Sequence, residues 1–250
     1  MIPSAAVSPL PENVLAQAAA FINPEYLGVE ALRAVQTWFH LPDPQPLPLR
    51  DFLRPEVADG ISGALRTLPS WVRYAASYHG RLDKQEFWGD DADGAATGGP
   101  AQYVIRDVAA LLDDPALDAG HRQAIERFLV FTVLSEALRG WLLAGTGLEL
   151  SRHTGVEFAC YRDSDGLAPH QDLVPGRVLA ANFYLDPAYR TGHGGRLGFR
   201  SGSGEHFVEP FYNTLSLMRI REDCWHWVEP YRGDGIGRYT IAVALQSATS

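Results

Sequence analysis

The chain has 250 residues, enough for one large domain or two small ones, and its 21 basic against 30 acidic residues leave a formal charge of −9. That balance argues against a protein that holds nucleic acid or anionic lipid by bulk charge. Two cysteines, Cys160 and Cys224, are too few for a disulfide framework, so both are expected reduced and the protein cytoplasmic. No window approaches the length of a membrane span, and "MIPSAAVSPLPENV" has neither the basic start nor the apolar run of a secretion signal.

Residues 11–39 are rich in Ala and Leu, and Pro24 splits them into two expected helices. The run "HLPDPQPLPLR" (40–50) carries four prolines, which predicts an extended connector. "RPEVADGISGALRTL" (54–68) predicts a helix with Pro55 at its first position. Residues 80–100 are acidic and glycine-rich, which predicts a surface loop: either a plain connector or a lid over a pocket. The strongest helix is expected over 120–144, with Ile125, Phe128, Leu129, Leu134, Leu138, Trp141 and Leu142 forming one apolar stripe stopped by "AGTG". Beyond residue 150, short Val-, Phe-, Tyr-, Ile- and Leu-rich runs alternate with turn residues, as in an all-β sandwich or barrel. The expected architecture is α+β within one domain: a mainly helical half (1–150) packed against a C-terminal β-barrel (151–250).

Within "LAPHQDLVPGR", His170 and Asp172 lie two apart, so on an extended segment both point to one face and can share a divalent ion. Alone the pair is equally a polar loop. In "CWHWVEP", alternation puts Trp225 and Trp227 on one face and His226 on the other, with Cys224 and Val228. A histidine there is by itself a hydrogen-bonded core residue as readily as a ligand. Two histidines and a carboxylate together are the facial triad of non-haem Fe(II) oxygenases. In the last strand, "GRYTIAVALQ", Arg238, Thr240, Ala242 and Ala244 share a face opposite Tyr239, Ile241, Val243 and Leu245. The aliphatic face should meet the helices, which turns Arg238 and Thr240 inward. A buried guanidinium calls for an anion, and with a hydroxyl beside it a carboxylate fits. The plain alternative is an exposed Arg238 paired with Asp234.

The order of these pieces resembles the iron(II)/2-oxoglutarate-dependent dioxygenase superfamily, within it the prolyl-4-hydroxylase-like group. "CYRDSDGLAPHQD", "NFYLDP", "GGRLGF", "VEPFYNTLSLMRI", "HWVEP" and "RYTIAVAL" follow the family's order, and "LPLRDFLRPEVADGISGALRTL" resembles its N-terminal helix. The resemblance covers about residues 47–70 and 155–246 and is weak or absent over 1–45 and 80–100. It implies a double-stranded β-helix (jelly-roll) barrel. It implies that His170, Asp172 and His226 ligate Fe(II), that Arg238 pairs with the distal carboxylate of 2-oxoglutarate, and that Thr240 or Tyr184 hydrogen-bonds it, with Tyr161 near by. Dioxygen would be the oxidant, succinate and carbon dioxide the coproducts, and ascorbate a supporting reductant. Because Asp172 is present, hydroxylation or another oxidative outcome is implied rather than halogenation.

The expected substrate is a small molecule, such as an amino-acid derivative or natural-product intermediate. Peptidyl, prolyl-type hydroxylation is the alternative, and Arg177, Arg196, Trp88, Trp225 and Trp227 are candidate contacts. Two further readings remain open: a non-catalytic metal-binding barrel, and a zinc hydrolase on the same three ligands, which would not need Arg238. Nothing in the sequence indicates nucleic-acid or membrane partners, and nothing sets the oligomeric state. His193, His153 and His206 are expected at the surface or in strands, while His40, His79 and His121 lack ligand-like spacing.

Overall fold

The computed structural model describes residues 8–78, 84–95, 101–233 and 237–248. In the N-terminal half, Pro24 begins a short 3-10 turn between α1 (Glu12–Ala18) and α2 (Val29–Phe39). The proline-rich run contributes only β1 (Leu47–Leu49), and α3 (Pro55–Thr67) starts on Pro55 as expected. Val57, Ala58, Ile61 and Leu65 bury one face of α3, the spacing of a helix that packs on one side only.

The strongest expected helix departs from its pattern. α6 (Ala119–Leu129) runs into a π turn at Val130–Leu134, and α7 (Ala137–Thr146) starts afresh. The Ser135 amide reaches back five residues to the Val130 carbonyl, and Thr132 Oγ1 donates to the Phe128 carbonyl at 2.9 Å. The extra residue in the turn shifts the phase of the stripe, and Leu134 emerges 73% exposed. Arg139, buried on α7, bridges the break by donating to the Val133 carbonyl at 2.7 Å and to Glu136 at 2.9 Å. Gly147 closes α7 in the left-handed conformation, the stop read from "AGTG".

Residues 80–100 also differ from the expected loop. β3 (Lys84–Trp88) pairs with β2 (Val72–Tyr78), and α4 (Asp90–Ala95) follows it. Residues 80–83 and 96–100, on which a lid would depend, lie outside the described residues. β4 (Ala101–Val104) then joins β2 to the barrel, and α5 (Val108–Leu112) leads towards α6.

The barrel strands are β5 (Leu150–Tyr161), β6 (Leu167–His170), β7 (Arg177–Tyr184), β8 (Leu197–Ser201), β9 (Gly204–Val208), β10 (Thr214–Arg219), β11 (Trp225–Val228) and β12 (Arg238–Ser247). They form a large sheet, β1-β10-β7-β12-β5-β4-β2-β3, and a small one, β6-β11-β8-β9. The two sheets enclose a cavity lined from both, a double-stranded β-helix. Alternation decides what each face of the large sheet meets. Phe158, Leu179, Phe183, Leu217, Tyr239, Ile241, Val243 and Leu245 join the helices in one apolar core. Phe183 sits among Phe52, Phe128 and Phe131, with ring centroids 5.1–6.2 Å apart. The opposite face shows three rows across β5, β12, β7 and β10: Ala159–Thr240–Tyr184–Thr214, then Glu157–Ala242–Asn182–Ser216, then Gly155–Ala244–Ala180–Met218. Small residues at the centre of the outer two rows leave room for a ligand. Among the described residues no single helix is long and apolar enough to cross a membrane.

Candidate active site

β6 and β11 are antiparallel neighbours, and their register sets His170 directly against His226. The two rings lie 4.1 Å apart between centroids. Asp172, just past the end of β6, completes the group: its Oδ1 is 3.9 Å from His170 Nε2 and its Oδ2 3.6 Å from His226 Nε2. One ligand atom from each residue lies within 4.8 Å of the others, a set that could hold one metal ion. The Nδ1 of His170 is 2.9 Å from the Ala168 carbonyl, which assigns the proton to Nδ1 and leaves the Nε2 lone pair facing Asp172 and His226. Burial, with His170 alongside, pushes the His226 imidazole down to about 3, so it is neutral and able to donate a lone pair. Burial acts to raise the Asp172 carboxyl, but His226, Arg177 and His170 outweigh it and hold it below the usual carboxylate range. Arg177 Nη1 lies 2.9 Å from Asp172 Oδ1.

Across the cavity stands Arg238, 2% exposed at the start of β12. Its guanidinium carbon lies 4.8 Å from the Tyr161 ring centroid and 5.0 Å from that of Tyr184. Its Nε and Nη1 have no hydrogen-bond partner among the described residues, and the Thr240 and Thr214 hydroxyls are also unpaired. Asp234, the alternative partner, lies outside the described residues. Gly195 makes room for this side chain, and Gly237 lets the chain pass close to Cys160 just before β12. A Cβ on Gly195 (φ +64°) would press on Arg238 Cδ at 3.0 Å, and one on Gly237 (φ +136°) would meet Cys160 Sγ at 2.5 Å. Burial raises the Tyr184 phenol, so it stays protonated as a donor.

All seven site residues read from the sequence, His170, Asp172, His226, Arg238, Thr240, Tyr184 and Tyr161, therefore line one cavity of about 320 Å³. Of the proposed substrate contacts, Arg177 lines it and the others do not. Arg196 is held by Glu229 at 2.6 and 2.8 Å, Trp227 packs on Phe207, Trp225 points outward, and Trp88 lies beside Tyr74. The two thiols occupy separate apolar clusters: Cys160 joins the helix-facing core, and Cys224 packs with Ala180, Phe199 and Met218. Burial raises each to about 11, so both are protonated and unreactive at neutral pH. Sequence reasoning missed Tyr74, Gln102, Glu157 and Asn182, which also line the cavity.

The family described as the 2OG-Fe(II) oxygenase superfamily matches residues 156–246, the stretch that carries every one of the seven residues. A prolyl 3-hydroxylase of Xenopus laevis, OGFOD1, is 28% identical over 117 residues, covering 44% of this chain and 23% of that protein. The chain thus spans about a quarter of the length of the curated relative it matches. Among solved structures, a Trichoplax adhaerens prolyl hydroxylase bound to a hypoxia inducible factor peptide fragment superposes with a TM-score of 0.61 at 14% identity, over 88% of this chain and 93% of that one. The non-heme alpha-ketoglutarate-dependent epimerase SnoN, from nogalamycin biosynthesis, gives 0.60 at 14% identity, over 88% and 82%. These likenesses establish the oxygenase fold. One neighbour is seen with a peptide and the other comes from natural-product biosynthesis, so the likeness leaves the substrate class open.

Proposed function

We propose that the protein is an Fe(II)/2-oxoglutarate-dependent oxygenase that hydroxylates, or otherwise oxidises, an unactivated C–H bond of a small molecule, releasing succinate and carbon dioxide. The observation that carries this reading is Arg238. A guanidinium 2% exposed, with two donor nitrogens unpartnered among the described residues, faces a cavity whose other wall holds two imidazoles and a carboxylate. Such burial is costly without an anion, and a zinc hydrolase on the same ligands has no use for it. The donor set fits the cofactors the family is named for. His170, Asp172 and His226 are the two-histidine, one-carboxylate set of non-haem iron. Arg238, with Thr240, Tyr184 and Tyr161 around it, suits the distal carboxylate of 2-oxoglutarate.

Bound iron and 2-oxoglutarate supply the activation of dioxygen; the chain's own part is positional. Rigid paired strands fix the two histidines, Asp172 follows directly after β6, and the Ala168 carbonyl keeps the His170 proton on Nδ1. Arg238 orients the cosubstrate by a charge pair, and the Tyr184 phenol donates without losing its proton. The row of Ala242 and Ala244 leaves space beside the metal side for a substrate. A cavity of about 320 Å³, shared with the cosubstrate, admits a small molecule or one side chain of a peptide. The shared core of helices and barrel supports one oxygenase domain over residues 1–250, and two buried thiols without a disulfide support a reducing, cytoplasmic setting.

Succinate formation with Fe(II), 2-oxoglutarate and ascorbate, read by mass spectrometry alongside a gain of one oxygen in candidate substrates, tests the proposal. We predict iron-dependent 2-oxoglutarate consumption that is lost in His170→Ala and Asp172→Ala. Full consumption in Asp172→Ala, or turnover that persists without oxygen, would overturn it.

A further inference from the structure

The three candidate ligands are not held alike. His170 and His226 face each other as paired residues of β6 and β11. β6 ends at His170, and Asp172 stands two residues beyond it in a strand-free stretch, 171–176. Two turn bonds fold that stretch on itself: the Val174 amide donates to the Asp172 carbonyl at 2.8 Å and the Arg177 amide to the Val174 carbonyl at 3.0 Å. Neither ties Asp172 to the strand that carries His226. Gln171 does. Its Nε2 donates to the Glu222 carbonyl, in the turn that leads into β11. A flipped amide would set oxygen against a carbonyl, which assigns Nε2 as the donor. Gln171 is 8% exposed and does not line the cavity. The turn it grips is itself anchored. The Cys224 amide closes it on the Arg221 carbonyl at 3.2 Å. Arg221 Nη1 donates to the Pro42 carbonyl at 2.9 Å and to Asp43 at 3.1 Å. Asp43 in turn accepts from the Ser203 amide at 2.8 Å and the Ser201 hydroxyl at 2.9 Å. The proline-rich connector thus fixes the turn against the β8–β9 hairpin.

We propose that Gln171 is a positioning residue for the metal centre. Its amide ties the backbone that carries Asp172 to the turn that precedes His226, and so sets the spacing of the carboxylate and the two imidazoles. Arg177 also grips the Asp172 carboxylate, but it comes from β7 in the other sheet. Gln171 supplies the hold on the side of the small sheet, where both histidines stand. The proposal rests on the metal centre of the oxygenase function above and adds a residue that touches neither the ion nor the cosubstrate. Groups that orient metal ligands are worth about 10–100-fold in metal affinity.

The test titrates the full chain with Mn(II) alone and reads the free ion by electron paramagnetic resonance. Binding that is lost in His170→Ala locates the ion at the three ligands. Gln171→Met keeps the length and bulk of the side chain and removes the donor. Gln171→Asn keeps the amide but falls one methylene short of the Glu222 carbonyl. Each should weaken Mn(II) at least about tenfold. In the metal-free variants, hydrogen exchange should rise over residues 171–176 while β6 and β11 keep their protection. A contact that served stability alone would loosen the whole barrel and leave the folded protein's affinity unchanged. An affinity loss below about tenfold in either folded variant, or faster exchange throughout the barrel, would overturn the proposal; if only one variant folds, that one decides. Wild type that binds no Mn(II) overturns the metal centre and this proposal together. Wild type that binds it as tightly as the variants do overturns this proposal alone.

Discussion

The strand β12 and the helical stretch from α6 to α7 carry apolar patterns of similar clarity, yet only one keeps its phase. Along β12, Tyr239, Ile241, Val243 and Leu245 all reach the helix-packed core, and Arg238 and Thr240 all face the cavity. Along 120–144 the stripe holds to Phe128, slips at the π turn and resumes on Leu138, Trp141 and Leu142, with Leu134 left outside. The difference lies in what enforces each pattern. β12 is hydrogen-bonded on both sides, to β5 and β7, and a slip of one residue would reverse every side chain against two neighbours at once. A helix bonds only to itself, so one π turn can insert a residue at modest local cost.

The most direct test of this contrast comes from the inward face of β12. Arg238→Met keeps the bulk of the side chain and removes the charge. Wild type should gain about 2.7 kcal/mol of stability from 2-oxoglutarate at 100 times its Kd, and the variant none. Without ligand the variant should be at least as stable as wild type, since an unmatched buried charge has been removed. Thermal unfolding with and without 2-oxoglutarate checks both statements. A variant that still gains stability from 2-oxoglutarate would place the cosubstrate elsewhere. The outward face comes next: Ile241→Ala and Leu138→Ala, both fully buried, should each cost about 2–5 kcal/mol in urea unfolding. A much smaller loss at Ile241 would mean that the sheet and helices do not share a core.

What could be read from the sequence depended on how local the determining contacts are. His170 and Asp172 declare themselves because two residues of separation on an extended segment fix a common face. Arg238 declares itself because its own strand shows which side is apolar. His226 took its meaning only from the other two, and Tyr184 and Tyr161 from family resemblance. Gln102 and Tyr74 gave no signal, because their place at the cavity depends on the pairing of β4 with β5, across more than fifty residues of chain. The strand Lys84–Trp88 was hidden for a similar reason. Its surroundings are rich in Gly and Asp, and it is a strand because β2 offers it an edge, not because its residues prefer one.

The smallest predicted effect is the most direct probe of the π turn. In an unbroken helix Leu134 would lie on the buried stripe, four residues before Leu138 and seven before Trp141. In the structure it is 73% exposed, while Leu138 and Trp141 are fully buried. Leu134→Ala should therefore change stability by no more than about 0.5 kcal/mol, the range for surface positions, against the several expected for Leu138→Ala. Leu134→Glu should be tolerated as well, since nothing apolar has to accept the charge. If Leu134→Ala instead costs as much as Leu138→Ala in urea unfolding, the helix runs through residue 134 with its phase intact. The contrast with β12 would then disappear.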